Sequence, residues 1–331
     1  MSELRKDPVG DRWVIIASER SRRPNARVPA AMPDSTEPCP FCTGQERETP
    51  PEILAYRADS TAPNRPGWTV RVVPNKYPAL AVGEGWPNRH DEPGDFMAGI
   101  GAHEVVIESP QHDVSMANLS VSQVGDVLRA YRERMIALQE EPRWQSVVIY
   151  KNEGSSAGAT LEHVHSQILA LPMVPRAIAD EWRALKAHDE GYRRCLYCDI
   201  IKKERERQDR VVAESDAFVV LCPFASRFPY ETWIMPKRHS PFFQSLGDNE
   251  LRQLASALLQ ILKRLAAVAD APVNYVLHSG PLRKAKSERY HWHLETLPRI
   301  SKIAGFELAS GYYINTVTPE EAARALRQVE I

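Results

Sequence analysis

The chain has 331 residues, enough for two ordinary domains or one large one. Hydrophobic content of 43% and charged content of 26% are ordinary for a folded globular protein, and a net charge of -1 gives no basic field to draw it to nucleic acid or an anionic membrane. No apolar run approaches the roughly 18 residues a bilayer span needs, and Met1, Ser2 and Glu3 open no apolar signal core, so a cytosolic protein is expected. Five cysteines in a reducing compartment need a role other than disulfides, and four of them form two Cys-x-x-Cys pairs, a spacing that suits metal.

In chain order, residues 7–11 read as a turn and 12–17 as a strand. Arg20, Arg22 and Arg23 follow, and a loop rich in Pro, Ser and Thr over 24–49 holds Cys39-Pro-Phe-Cys42. Residues 68–73 alternate as a strand ending at Pro74 and Asn75, and 104–108 form another that ends before His112. Val124, Val127, Leu128, Tyr131, Met135 and Leu138 recur at helical spacing over 122–139, with Ser122 as the expected N-cap. A strand at 145–150 leads into residues 152–167, Asn-Glu-Gly-Ser-Ser-Ala-Gly-Ala-Thr-Leu-Glu-His-Val-His-Ser-Gln. Small residues and two glycines let backbone N–H groups approach a polyanion there. His163 and His165, two apart at the head of a strand that runs through 167–171, point the same way.

The second half repeats this order. Cys195-Leu-Tyr-Cys198 precedes strands at 217–221 and 232–235, then His239. An amphipathic helix with Leu251, Leu254, Leu258, Ile261 and Leu265 leads to a strand at 273–277 and to His291-Trp-His293. The step from His112 to His163 is 51 residues, and from His239 to His291 it is 52. Features shared in one order indicate a duplicated unit, with a linker expected over 178–194. Each copy offers two thiolates, a distant histidine and the first histidine of the pair. The sets are Cys39, Cys42, His112 and His163, and Cys195, Cys198, His239 and His291. Two sulfurs and two imidazoles suit tetrahedral zinc, and full protein coordination marks a structural site, so two such zinc sites per chain are expected. Cys222 stands alone in a strand and reads as a small buried hydrophobe. The second His-x-His lacks a small-residue loop and is followed by Leu294 and Glu295, so it reads as inert. Thr318-Pro-Glu-Glu321 opens a last helix, to about 329, as a capping box with proline at its first position.

These motifs, with Asp7-Pro-Val-Gly-Asp11-Arg-Trp-Val14, Asn75-Lys-Tyr-Pro78 and Gly305-Phe-Glu307, resemble the galactose-1-phosphate uridylyltransferase family of the histidine-triad superfamily over nearly the whole chain. The Ala-Thr-Leu-Glu-His-Val-His-Ser-Gln form resembles the prokaryotic branch, which is also similar to ADP-glucose phosphorylase. The resemblance implies an α+β fold of two tandem histidine-triad-like units, each an antiparallel sheet packed with helix and carrying zinc-stabilised loops. Residues 1–178 would form the catalytic unit and 179–331 the degenerate one. It also implies that His165 becomes covalently nucleotidylated and that the eight cysteines and histidines above bind metal. Phe41, Asn75, Asn152, Gly158 and Thr160 would line the nucleotide site, and Phe306 and Glu307 would contact a hexose. The chain would be a homodimer whose C-terminal segment reaches the neighbour's site.

The chemistry fits this implication. Transfer between phosphates needs a nucleophile that splits one displacement into two easier ones. Nε2 of His165 attacks only if Nδ1 carries the proton, held by a backbone carbonyl. Arg20, Arg23 and the 154–158 backbone are expected to stabilise the developing charge without a catalytic metal. Gln167 stands where the superfamily's hydrolases carry a third histidine. A carboxamide hydrogen-bonds a phosphoryl oxygen but is a poor proton donor, which favours an intermediate that waits for a phosphate acceptor. Ser166 is expected to offer its hydroxyl to the same phosphate. The expected activity is ping-pong uridylyl transfer from UDP-glucose to galactose-1-phosphate. The alternative is ADP-glucose phosphorolysis with inorganic phosphate. A non-enzymatic zinc- or nucleotide-binding protein is disfavoured, since a binder needs no aimed imidazole.

Overall fold

The computed structural model describes residues 3–9, 13–16, 38–57, 61–83, 89–91, 94–96, 99–112, 115–283 and 289–331. Its first half holds β1 (Glu3–Lys6), β2 (Trp13–Ile16), β3 (Leu54–Arg57), β4 (Trp68–Pro74), β5 (Arg89–Asp91), β6 (Gly94–Phe96), β7 (Ala102–Ile107), α1 (Val121–Gln139), β8 (Ser146–Glu153) and β9 (His165–Leu171). Next come α2 (Arg176–Tyr192), α3 (Leu196–Arg207), β10 (Val211–Glu214), β11 (Phe218–Leu221), β12 (Thr232–Pro236), α4 (Asp248–Ala269), β13 (Val273–His278) and β14 (His293–Pro298). The chain closes with α5 (Gly305–Ser310), β15 (Tyr313–Asn315) and α6 (Pro319–Gln328). Among the described residues no helix is long and apolar enough to cross a membrane.

Ten strands make one sheet in the order β10-β11-β12-β14-β13-β8-β9-β7-β4-β3, and every neighbouring pair is antiparallel. Read outward from its centre, one side runs β8, β9, β7, β4, β3 and the other β13, β14, β12, β11, β10. The sequence repeat is therefore a repeat of strand order, joined where β8 pairs with β13. A smaller sheet sets β15 parallel to β2 and β1 antiparallel to it, so both ends of the described chain meet.

One face of the large sheet packs on α1 and α4. Their buried residues recur at helical spacing: Val124, Val127, Leu128, Tyr131, Met135 and Leu138 in α1, and Leu251, Leu254, Leu258, Leu262 and Leu265 in α4. Alternate strand residues such as Val72, Val106, Ile149 and Ile168 meet them, with Val220, Ile234, Tyr275 and Leu294 from the other half. The N-cap of α1 is Ser120, not Ser122, because its side chain accepts from Gln123 N while Gln123 caps it in return. Thr318 caps α6 as its sequence predicts.

The other face is covered unequally. Over the second half, Ile178 and Leu185 of α2 and Tyr197 and Ile201 of α3 bury Val219, Leu221, Trp233 and Met235. The segment expected as a linker over 178–194 is thus mostly a helix docked on the sheet. Over the first half the described residues form a smaller cluster, Phe41 with Trp68, Val73, Val105 and Ile107. That thin cover leaves room for a cavity.

Candidate functional site

Alternation along β9 sorts its first three side chains. Val105 and Ile107 of β7 pair with Gln167 and His165, and both belong to the thinly covered face. His165 and Gln167 line a cavity of about 700 Å³ together with Phe41, Asn75, Lys76, Val105, Thr160 and Leu161. Ser166 faces the helices instead. It is 1% exposed, and the Tyr131 hydroxyl donates to its Oγ at 2.6 Å. The expected contact of Ser166 with a phosphate is corrected by this period-two geometry.

His165 Nδ1 lies 2.7 Å from the His163 carbonyl oxygen. A carbonyl only accepts, so Nδ1 carries the proton and Nε2 keeps its lone pair. The ring is 7% exposed, and the edge of Phe41 lies 5.3 Å away between centroids. Burial pushes its pKa down to about 4, with the positive charge of Lys151 adding to the effect against the His163 carbonyl. The imidazole is therefore neutral at physiological pH, the form a nucleophile requires. On the far side of the strand, Lys151 Nζ donates to the His165 carbonyl at 3.1 Å and to Glu108 at 2.5 Å, anchoring the backbone that aims the ring.

Gln167 Oε1 lies 2.7 Å from His103 Nε2 and accepts from the Tyr150 hydroxyl at 3.0 Å. The loop beside it turns through Gly154 at φ +86° and Gly158 at φ +91°, conformations that favour glycine. A Cβ on Gly154 would also come 2.8 Å from Pro272. Asn274 of β13 donates to Asn152 Oδ1 and to the Ala157 carbonyl, both at 2.7 Å.

Cys39, Cys42, His112 and His163 converge, with their candidate ligand atoms all within 4.8 Å of one another; Cys195, Cys198, His239 and His291 do the same. Sulfur-to-Nδ1 distances are 3.4–3.7 Å in the first set and 3.6–3.7 Å in the second. Tetrahedral zinc bonds give an S···N edge of about 3.6 Å. His163 Nε2 donates to the Ser109 carbonyl at 2.7 Å and His291 Nε2 to the Pro236 carbonyl at 2.9 Å, which leaves each Nδ1 bare for a cation. Hydrogen bonding from Cys198, with His239 and His291, holds the Cys195 thiol far below its ordinary range against burial. Both donor sets fit zinc.

The second His-x-His is sealed. His293 Nδ1 again faces the carbonyl two residues back, at 3.3 Å, but the ring is 0% exposed. It lies under Tyr197, 4.9 Å between centroids, and stacks on His278 at 4.7 Å. Glu181 of α2 pairs with His278 at 2.8 Å, and Arg227 binds Glu295 at 2.5 Å and Glu231 at 2.8 Å. Burial opposes every charge here. The carboxylates of Glu181 and Glu295 nevertheless raise the His278 pKa, while Arg227 and His278 hold Glu295 well below the carboxylate range.

Five of the residues expected at the nucleotide site, Phe41, Asn75, Thr160, His165 and Gln167, share the cavity. Asn152 and Gly158 belong to the adjoining loop and do not line it. Phe306, 43% exposed, and Glu307, which caps α5 through the Ala304 N–H, also lie outside its lining. Arg20 and Arg23 fall outside the described residues. His103, Tyr150 and the sealed charge cluster escape a linear reading. The signal that finds His103 is its place two and four residues before Val105 and Ile107 on one strand face.

A family profile described as galactose-1-phosphate uridyl transferase, N-terminal domain, matches residues 1–175, and one described as a domain of unknown function, DUF4921, matches residues 99–329. The chain is 36% identical to the ADP-glucose phosphorylase of Arabidopsis thaliana over 99% of its length and 93% of that protein. It is 29% identical to the galactose-1-phosphate uridylyltransferase of Thermotoga maritima over 100% of its length and 99% of that protein. The crystal structure of an Arabidopsis thaliana ADP-glucose phosphorylase with bound ADP-glucose matches with a TM-score of 0.85 at 34% identity, covering 100% of both chains. A uridylyltransferase structure matches with a TM-score of 0.77 at 29% identity, over 99% of this chain and 97% of the other.

Proposed function

This chain is a nucleotidyltransferase of the galactose-1-phosphate uridyl transferase family, and we propose that it carries an adenylyl group from ADP-glucose to inorganic phosphate through His165. Nε2 of His165 attacks the α-phosphorus of the nucleotide sugar, and the bond to the β-phosphate oxygen breaks. Glucose 1-phosphate leaves with that electron pair, and the adenylyl group stays on nitrogen. An oxygen of the acceptor phosphate then attacks the same phosphorus, the N–P bond breaks, ADP departs and the imidazole returns neutral. The leaving group and the acceptor are both phosphate anions, so neither step calls for a strong general acid or base.

The observation that carries the chemistry is the His165 ring itself, with Nδ1 tied to a carbonyl and its Nε2 lone pair kept beside a cavity. Gln167 and the glycine loop next to it support the reading. What favours ADP-glucose is the 36% identity to a phosphorylase against 29% to a uridylyltransferase over comparable lengths. Uridylyl transfer to a hexose 1-phosphate is the second reading, supported by the family profile over residues 1–175. The roles of Phe41, Asn75, Thr160 and Gln167 at the nucleotide belong to the same proposal, as do two units divided near residue 178. Zinc in the two clusters would tie the Cys-x-x-Cys loops to the strands. In a homodimer the neighbour's Phe306 and Glu307 would supply hexose contacts to this cavity.

The test is incubation with a nucleotide sugar and no acceptor, read by intact mass and peptide mapping. ADP-glucose should leave an acid-labile adenylyl group on His165 and release glucose 1-phosphate, and added phosphate should discharge it as ADP. Labelling by UDP-glucose alone, discharged by galactose-1-phosphate, would turn the assignment to the second reading. Labelling by neither would defeat both.

A further inference from the structure

Which end of the Gln167 carboxamide faces the phosphoryl group is decided by its neighbours. The backbone N–H of Ala79 donates to His103 Nδ1 at 3.0 Å. A backbone amide only donates, so Nδ1 is bare and the neutral ring carries its proton on Nε2. Nε2 lies 2.7 Å from Gln167 Oε1, and the Tyr150 hydroxyl donates to the same oxygen at 3.0 Å. Both lone pairs of Oε1 are then occupied. Turned the other way, the carboxamide would set N–H against N–H in a half-buried position, at the cost of a lost hydrogen bond. Asn75 Nδ2 also approaches His103 Nε2, at 3.1 Å. Asn75 Oδ1 is held as an acceptor by the Tyr77 N–H, so this approach is between two donors and does not alter the tautomer.

We propose that His103 is a positioning residue for nucleotidyl transfer. With Tyr150 it clamps Gln167 Oε1 and presents the Gln167 N–H groups to the phosphoryl group on His165. Among the described residues Gln167 Nε2 has no hydrogen-bond partner, which is the state of a donor kept for a ligand. The sealed half lacks this arrangement. Strand register sets Glu231, Glu295 and Val276 at the positions of His103, Gln167 and Tyr150. Two acidic side chains bound by Arg227 replace an imidazole and a carboxamide.

The inference rests on the nucleotidyl-histidine reading, and single-turnover kinetics on the full chain separate the two. His103→Leu should slow formation of the His165 adduct by about 10- to 100-fold while the apparent KM for the nucleotide sugar moves by less than about threefold. His103→Gln, whose amide reaches near the Nε2 position, should recover to within about fivefold of wild type. Gln167→Ala should cost as much as His103→Leu, and the double variant should be no slower than Gln167→Ala alone. A wild-type rate in His103→Leu, or losses that multiply in the double variant, would overturn the proposal. If the wild-type chain forms no adduct with ADP-glucose or UDP-glucose, the reading beneath it fails first. Nitrogen NMR of the labelled His103 ring needs no variant that folds: a protonated Nε2 and bare Nδ1 support the clamp, and the opposite tautomer sinks it.

Discussion

Two His-x-His pairs occupy matching places in one sheet, and only one of them opens on space. His165 and His293 both turn Nδ1 toward the carbonyl two residues back, and both adjoin a cluster of two cysteines and two histidines. Among the described residues His165 lies beside the small Phe41 cluster, while α2 and α3 cover His293. The neighbours change with the cover, from Gln167 and His103 to Glu295 and Glu231, with Arg227 holding both carboxylates. The tethered imidazole and the ligand cluster are thus shared architecture. What distinguishes the halves is an imidazole beside a cavity on one side and a sealed network of charges on the other.

The largest effect should come from the two second histidines. His165→Asn should abolish adduct formation, a loss on the order of ten thousand-fold or more. His293→Gln should keep the rate within about threefold despite its burial. Equal losses by intact mass and single-turnover rate would break the comparison.

The clusters come next. Cys39→Ser and Cys195→Ser should each remove one of two metal ions by elemental analysis. Cys39→Ser should also slow transfer by about 10- to 100-fold, because His163 supplies the carbonyl that orients His165. Cys195→Ser should lower the melting temperature and leave the rate within about threefold. Full metal content and stability in Cys195→Ser would refute the second site.

A smaller effect belongs to the sealed network. The pKa of His278 is raised in the folded chain, by Glu181 and Glu295 against burial. Its contribution to stability is then fully present below the unfolded value of about 6.5 and fades as pH rises through the raised folded value. Within that window the slope is about 1.4 kcal/mol per pH unit for this one proton. Melting curves between mildly acidic and alkaline pH should show the decline, and His278→Gln should flatten it. The open half contributes with the opposite sign, because the lowered pKa of His165 makes stability rise with pH between about 4 and 6.5. Smallest of all, Ser166→Ala should change transfer by less than about threefold and cost about 1 kcal/mol of stability for the Tyr131 hydrogen bond. A tenfold slower transfer would return Ser166 to the site.

Long periodic segments were legible in the sequence. The apolar stripes of α1 and α4 and the strands between them follow the spacing of their own residues, and the repeat anticipates the order of the sheet. The two ligand sets were legible because one pattern appears twice at nearly one spacing. The helix α2 was not, since its stripe is short, Ile178, Trp182 and Leu185 among charged residues. The four-residue strands β3 and β10 are too short to show a period. Ser166 was misplaced although the rule that pairs His165 with Gln167 also turns the residue between them away. His103 is marked in the sequence only by its period-two spacing to Val105 and Ile107, and its partner Gln167, 64 residues away, meets it through strand pairing.

Asn274 belongs to the second half, yet its amide grips both Asn152 and Ala157 across the β8–β13 seam. The glycine loop beside the nucleophile therefore has one shore in each half of the chain. Cut loose near residue 175, the first half would keep His165 and both cysteines of its cluster but would lose the hand that steadies the loop. The second copy is the far wall of the first.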